Sequence, residues 1–408
     1  MYKNKKVMLT RFCTFVNKKI KVKLLLLLFI VPFVNIPAKN KLPNQLSQEA
    51  TISVLTCAPG EELYSVFGHT AIRVSDPENE IDLVFNYGTF DFNTPFFYLK
   101  FGHGNLDYLL SVSPFKRFMR EYFMTNRSVW EQELSLSESQ KESLFRDLIV
   151  NAQPQNRAYQ YDFFYDNCAT RVADIVLEQY SSDRVNFSTE NIPVSLTFRE
   201  AIHPYLEKQP WTKFGIDLIL GAPADAQTDS ASIMFLPDYL MGQFSGIRID
   251  DTENLVAATN ILLDLSDYSE YKAADWWSPT TTLWVLFILI ALWSFTEQKG
   301  KGKLKVFDFI LFSAVSLLGI VIFYLSWISN HQVTSPNWNL LWANPFWILL
   351  VTNVKYIYRK LFCFLQGVAL VIFLVVMAAG IQYFPYESLP VILLLIVRGF
   401  FSCHLQLK

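Results

Sequence analysis

The chain has 408 residues, of which 51% are hydrophobic, 16% aromatic and only 18% charged. Soluble proteins carry about 25% charged residues, and a mean hydropathy of +0.22 points the same way, toward a membrane protein. With 15 Gly, 18 Pro and 5 Cys, collagen-like, disordered and disulfide-scaffold classes are excluded. The net charge of −2 conceals three unlike pieces: +8 over residues 1–23, −16 over 24–278 and +6 over 279–408. No basic domain is left to bind nucleic acid.

Residues 1–38 read as a signal peptide or N-terminal anchor. Eight Lys and Arg precede an 11-residue apolar run, Leu24–Val34. That run is shorter than the roughly 20 residues a spanning helix needs and has the proportions of a secretory h-region. Ala38 is the candidate cleavage position.

Residues 41–278 read as one extracytoplasmic α+β domain. Strands are predicted over Thr51–Thr56, His69–Val74 and Ile81–Tyr87, with turn signals at Pro59-Gly60 and Ser75–Glu80. Helices are predicted over Ser113–Met124 and Ser137–Asn151, the second opened by a Ser137/Gln140 capping box. Ala169, Val172, Ala173, Val176 and Leu177 then repeat at helical spacing.

Residues 279–408 read as an α-helical membrane domain of about five spans: Pro279–Phe295, Val306–Ile328, Leu340–Val354, Leu361–Phe384 and Leu389–Leu405. The third is short and contains Pro345. Lys299, Lys301, Lys303 and Lys305 fill the first connection, and Lys355, Arg359 and Lys360 the third. The positive-inside rule makes both cytoplasmic. Ser329–Asn344 and Pro385–Ser388 then face outward, as does the domain before the first span. Trp276, Trp277 and Trp284 fit an interfacial aromatic belt. The localisation expected is the inner membrane, multi-pass, with the folded domain in the periplasm.

The outward domain holds two cysteines, Cys57 and Cys168, which an oxidising compartment would allow to pair. Asp166 and Asn167 are favoured N-cap types, so Cys168 falls in the first turn of the helix. There the free amides and the macrodipole stabilise a thiolate. The bland reading is a small buried Cys at a helix start. Cys57, at a strand-to-turn junction, is the rival nucleophile and lacks a helix N-terminus. A base is needed. His69 opens its strand beside Gly68 and is the strongest candidate. His103 sits in a loop, and His203 precedes Pro204 and reads as structural. The group orienting His69 is Asn86 on the next strand, with Asp91 and His103 as alternatives. No metal site or cofactor is expected, because His69, Cys57 and Cys168 are too few and wrongly spaced for closed zinc ligation.

His at a strand start, a polar residue on the next strand and Asn-Cys at a later helix start resemble the circularly permuted NlpC-type papain-like fold, which includes the lecithin:retinol acyltransferase group. A wider resemblance rests on Leu55–Val74, Val84–Asn93, Tyr161–Arg171, Phe214–Asp225 and Phe235–Met241. These segments are similar to the Lnb-type lipoprotein N-acyltransferases of Bacteroidota, which join an N-terminal periplasmic domain to a C-terminal membrane region. The resemblance implies Cys168 and His69 as catalytic residues. It also implies a membrane phospholipid as acyl donor and the free α-amino group of a diacylated lipoprotein as acceptor. The rival classes are a membrane-anchored cysteine hydrolase acting on peptidoglycan and a non-catalytic envelope scaffold. Trp276, Trp277 and the Ser329–Asn344 loop, with Trp338 and Trp342, are expected to guide acyl chains toward Cys168.

Overall fold

A computed structural model describes residues 45–187, 196–265, 277–296, 304–352 and 355–405. The signal or anchor segment and Trp276 lie outside them. The sheet is built around β1 (Thr51–Cys57), a run apolar enough to be buried on both faces. Such continuous apolar runs mark central strands. β2 (His69–Asp76) and β3 (Ile81–Thr89) follow it, then α1 (Phe97–His103) and β4 (Asp107–Pro114). Next come α2 (Phe115–Met124), β5 (Val129–Leu134), α3 (Glu138–Asn151), β6 (Ala158–Gln160) and α4 (Cys168–Leu177).

After α4 the chain forms β7 (Val185–Asn186), α5 (Phe198–Leu206), α6 (Pro210–Ile219) and α7 (Pro237–Gly246). β8 (Arg248–Ile249) and β9 (Glu253–Asn254) complete a small sheet with β7. β10 (Val256–Leu263) returns to the main sheet as an edge strand. The main sheet runs β10-β5-β1-β2-β3-β4-β6, and every neighbouring pair is antiparallel.

Alternation along the strands assigns the two faces. Ile52, Val54, Ile72, Val74 and Phe85 pack with Ala169, Val172 and Val176 of α4. Leu55, Ala71 and Val84 point the other way, against Phe118 and Tyr122 of α2. Burying each such aliphatic side chain is worth about 1.5–3 kcal/mol. The Ser137/Gln140 capping box opens α3. The helix expected from Ser113 instead begins at Phe115, because Ser113 and Pro114 still pair with Val84 and Leu83.

The second half contains α8 (Pro279–Thr296), α9 (Lys305–Trp327), α10 (Tyr356–Ala378) and α11 (Ser388–Leu405). The first three are long and apolar enough to cross a membrane. The run Leu340–Val354 departs from its expected helix and forms 3-10 stretches at Trp338–Leu341 and Pro345–Leu350. Pro345 lacks an amide hydrogen, and the Asn344 side chain accepts from the Phe346 amide instead. This segment runs down α9. Asn344 lies beside Gly319, where a Cβ would meet its carbonyl carbon at 2.5 Å, and Trp347 stacks on Phe312 at 5.5 Å. The Leu341 carbonyl accepts from Gln366 of α10, and Asn344 donates to the same residue's amide oxygen. Non-helical backbone at membrane depth requires such partners.

Helix ends group consistently. Thr280 of α8 bonds Glu387, just before α11. Ser294 near the other end of α8 meets Arg398 of α11, which also forms a buried pair with Asp308 at the start of α9, at 2.6 Å.

The two halves share a packed junction. Leu218 at the end of α6 joins the hydrophobic cluster of Phe312, Trp342 and Trp347. Its carbonyl accepts from Asn337 and Asn339, and the Gly221 and Ala222 amides donate to Val333 and Pro336. The loop expected to guide acyl chains is thus a strap. Trp342 is 1% exposed, with its indole N–H on Asn339. Behind the strap, buried Arg199 bonds Asp217, Asp225 and the carbonyls of Leu220 and Gly221.

Arg199→Ala would leave the buried Asp217 and the carbonyls without their cation, at a cost of about 3–5 kcal/mol. Thermal unfolding of purified protein in detergent is expected to show that loss, while Arg184→Ala, which breaks an exposed pair with Asp250, leaves the midpoint nearly unchanged.

Candidate active site

α4 begins at Cys168 because Asn167 caps it. The Asn167 side-chain oxygen accepts from Ala169 N–H at 2.7 Å and Thr170 N–H at 3.0 Å. In return the Thr170 hydroxyl oxygen accepts from the Asn167 backbone N–H. The amide nitrogen of the Asn167 side chain donates to the carbonyls of Phe163 and Phe235. Asp166, the other capping candidate, instead pairs with Arg171 at 2.5 Å. Cys168 is thereby set at the helix N-terminus, 8% exposed, with its amide outside the capping network's acceptors.

The strands bring the partner residues to the same place. His69 is the first residue of β2, and its Nε2 lies 2.5 Å from the Asn86 side-chain oxygen on β3. An amide oxygen accepts, so Nε2 carries the proton in this contact and Nδ1 is the basic nitrogen. The Cys168 thiol and the His69 ring lie close enough for each to shift the other's ionisation. Burial opposes charge on Cys168. The facing imidazole and the amides of Thr70 and Cys168 outweigh it and bring the thiol below its usual 9.0. Burial likewise opposes charge on His69, but the neighbouring thiolate and the bond to Asn86 raise the imidazole above 6.5. The pair favours thiolate and imidazolium together.

Two glycines make room for this. Gly68 has φ +80°, and a Cβ there would meet the Cys57 carbonyl at 2.9 Å. Gly88 has φ +85° and lies at an irregularity between β3 and β4, the sort of bulge that re-aims a strand. A Cβ on Gly88 would stand 3.4 Å from Cys168 Cβ and 3.9 Å from both His69 Cε1 and the Tyr159 hydroxyl. Tyr159, which sequence reasoning did not single out, lies on β6 with Arg171 over its ring at 3.6 Å. Its buried hydroxyl has no hydrogen-bond partner. Only tertiary pairing of β6 with β4 brings it here, so no local motif announces it.

The other candidates lie elsewhere. Cys57 ends β1 directly opposite His69 in register, fully buried and unbonded to Cys168. Burial pushes its thiol up to about 12. Asp91 is exposed and bonds Asn93. His103 Nδ1 meets the Tyr324 hydroxyl of α9 at 2.8 Å, and His203 bonds Asp217 behind the strap. Among the described residues, no group of three or more His, Cys, Asp or Glu converges as metal ligands would.

Iodoacetamide is expected to alkylate Cys168 with a pH midpoint below 9 and to leave Cys57 unmodified in the folded protein. His69→Ala removes the favourable charge and leaves burial to act, so the Cys168 midpoint moves up. Mass spectrometry of each site against pH reads both shifts, and a midpoint unmoved by His69→Ala would contradict the ion pair.

Comparison with known families places these elements. The Lnb N-terminal periplasmic domain matches residues 42–201, which contain Cys168, His69, Asn86 and Tyr159, and the Lnb transmembrane domain matches residues 271–408. No curated protein and no solved structure matches the chain. With both family domains present in order, the chain belongs to the Lnb family, a periplasmic part followed by a membrane part.

Proposed function

We propose that the protein is a lipoprotein N-acyltransferase of the inner membrane, using Cys168 as nucleophile and His69 as its acid and base. The observation that carries this reading is a thiol at a helix N-terminus, beside an imidazole that Asn86 holds. The strand, strand and helix order of these three residues supports a permuted papain-like arrangement. The basic connections around Lys299–Lys305 and Lys355–Lys360 support a periplasmic site.

In the first half-reaction the Cys168 thiolate attacks a phospholipid ester carbonyl, forming the C–S bond. The oxyanion lies toward the Cys168 amide at the start of α4 and the unpartnered Tyr159 hydroxyl. Collapse breaks the ester C–O bond, and the departing lysophospholipid oxygen takes the proton from His69. In the second half-reaction the α-amino group of a diacylated lipoprotein attacks the thioester. Neutral His69 accepts the amine proton, the C–S bond breaks and the thiolate returns. No metal or cofactor is needed for either step. A thioester suits this sequence because an amine attacks it more readily than an oxygen ester.

Mass spectrometry of lipoprotein N-termini is expected to show N-acylation with the wild type and none with Cys168→Ala or His69→Ala. An acyl group trapped on Cys168 in the absence of acceptor is the second expected result. Unchanged N-acylation in both variants overturns the reading, and acyl or peptide hydrolysis without transfer to an amine assigns the hydrolase class instead. Tyr159→Phe is expected to slow turnover by roughly 10²-fold, the typical cost of one oxyanion donor, without moving the alkylation midpoint of Cys168.

A further inference from the structure

We propose that the aromatic surface around α1 inserts into the periplasmic leaflet of the phospholipid bilayer, beside the end of α9. The surface is large and open. Phe96, Tyr98, Leu99 and Phe101 are between 50% and 81% exposed, with Phe92 at 60% and Tyr64 at 67%. Their rings make one patch, since Phe97 packs on Phe92 at 4.9 Å and on Tyr98 at 5.3 Å, and Tyr64 reaches Phe92 at 6.5 Å. Apolar surface left in water is unfavourable, and soluble proteins seldom keep large contiguous patches without a use.

The occupant follows from where the patch is fastened. His103 at the end of α1 bonds the Tyr324 hydroxyl, and its carbonyl accepts from the Asn330 amide at 2.9 Å. The Asn105 and Asn330 side chains bond each other, and the His331 ring lies 3.1 Å from the Phe101 carbonyl. Tyr324 is one turn from Trp327, the last residue of α9, or about 5 Å along the axis. Phe323 and Trp327 are themselves 45% and 65% exposed. The patch is therefore level with the end of a membrane-length helix and continues its outward-facing apolar surface. Tyr and Trp suit that depth, with apolar bodies in lipid and polar tips in headgroups. Thr94–Leu106 has no acid and one Lys, Lys100, so no carboxylate on that stretch opposes entry into the interface.

The patch also adjoins the active site. β3 carries Asn86 and Gly88 and ends at Thr89, just before Phe90, which packs on Phe92 and on Tyr108, and Tyr108 stacks on Tyr161 at 4.2 Å. The insertion itself does not depend on which bond Cys168 breaks.

The test is photocrosslinking of the full chain, reconstituted in vesicles of phosphatidylethanolamine and phosphatidylglycerol. p-Benzoylphenylalanine replaces Phe96, Tyr98 or, as control, Glu78, which is exposed at the opposite end of the sheet in the β2–β3 turn. Lipid adducts at 96 and 98 are expected about tenfold above those at 78, as for side chains in the interface against one in water. The same adducts are expected with Cys168→Ala, so a failed acyl-transfer reading leaves this result standing. Adducts at 96 and 98 no higher than at 78, or crosslinks there to a second copy of the chain instead of lipid, overturn the proposal.

Discussion

One buried amide fixes the chemistry of this fold. The Asn167 side chain makes four hydrogen bonds, two accepted from the first turn of α4 and two donated to the carbonyls of Phe163 and Phe235. A helix cap of this kind is worth about 1 kcal/mol, yet here its larger effect is positional. The bonds tie the helix start to the aromatic segment before it and to the cluster containing Phe235. Ala169, Val172 and Val176 then key the helix into the sheet. Cys168 has one place to be, and it is beside the first residue of β2.

Two buried cysteines in the same domain show how much this placement decides. Both are withdrawn from water, and for both burial opposes the charged form. Cys57 ends a strand, where the Tyr122 hydroxyl and the Arg127 charge lower its thiol less than burial raises it. Burial wins there, and the thiol stays protonated. Cys168 faces an imidazole and two backbone amides. These groups outweigh the same penalty. Burial alone therefore separates nothing, and the oriented donors around each sulfur set the opposite outcomes.

Features generated by neighbouring residues were legible in the sequence. The Ser137 capping box, the helical spacing after Asn167 and the three opening strands all follow from local pattern. Features generated by distant pairing were not. Ser113 reads as helical by itself but pairs with Val84 in the sheet. β10 is exposed along most of its length and has no apolar face to advertise it. Leu340–Val354 is apolar enough to suggest a helix, yet Pro345 and the Asn side chains around it favour 3-10 turns that α9 and α10 complete. Tyr159 sits in a three-residue strand whose meaning comes wholly from β4. Trp342 was legible as aromatic but not as buried, since burial depends on α6 arriving against it.

The arrival of α6 has a consequence for how any substrate reaches Cys168. A catalytic domain on a flexible tether would sample the space above a membrane and could meet soluble substrates from many directions. Here Leu218 is seated in the membrane half's core, and Asn337 and Asn339 hold the end of α6 by its carbonyls. A second set of contacts, from His103 at the end of α1, reaches Tyr324 of α9 and Asn330 in the same loop. Both sets of contacts fall on the loop of residues 330–339 and the adjoining end of α9. The position of Cys168 relative to α9 is then set by packed contacts between the two halves rather than by a flexible tether. For a reactant held in the same bilayer, a fixed placement of this kind would raise effective concentration relative to a soluble one. Under the proposed acyl transfer, selection of a lipid-borne substrate would begin with the junction between the two halves, before any group touches the sulfur.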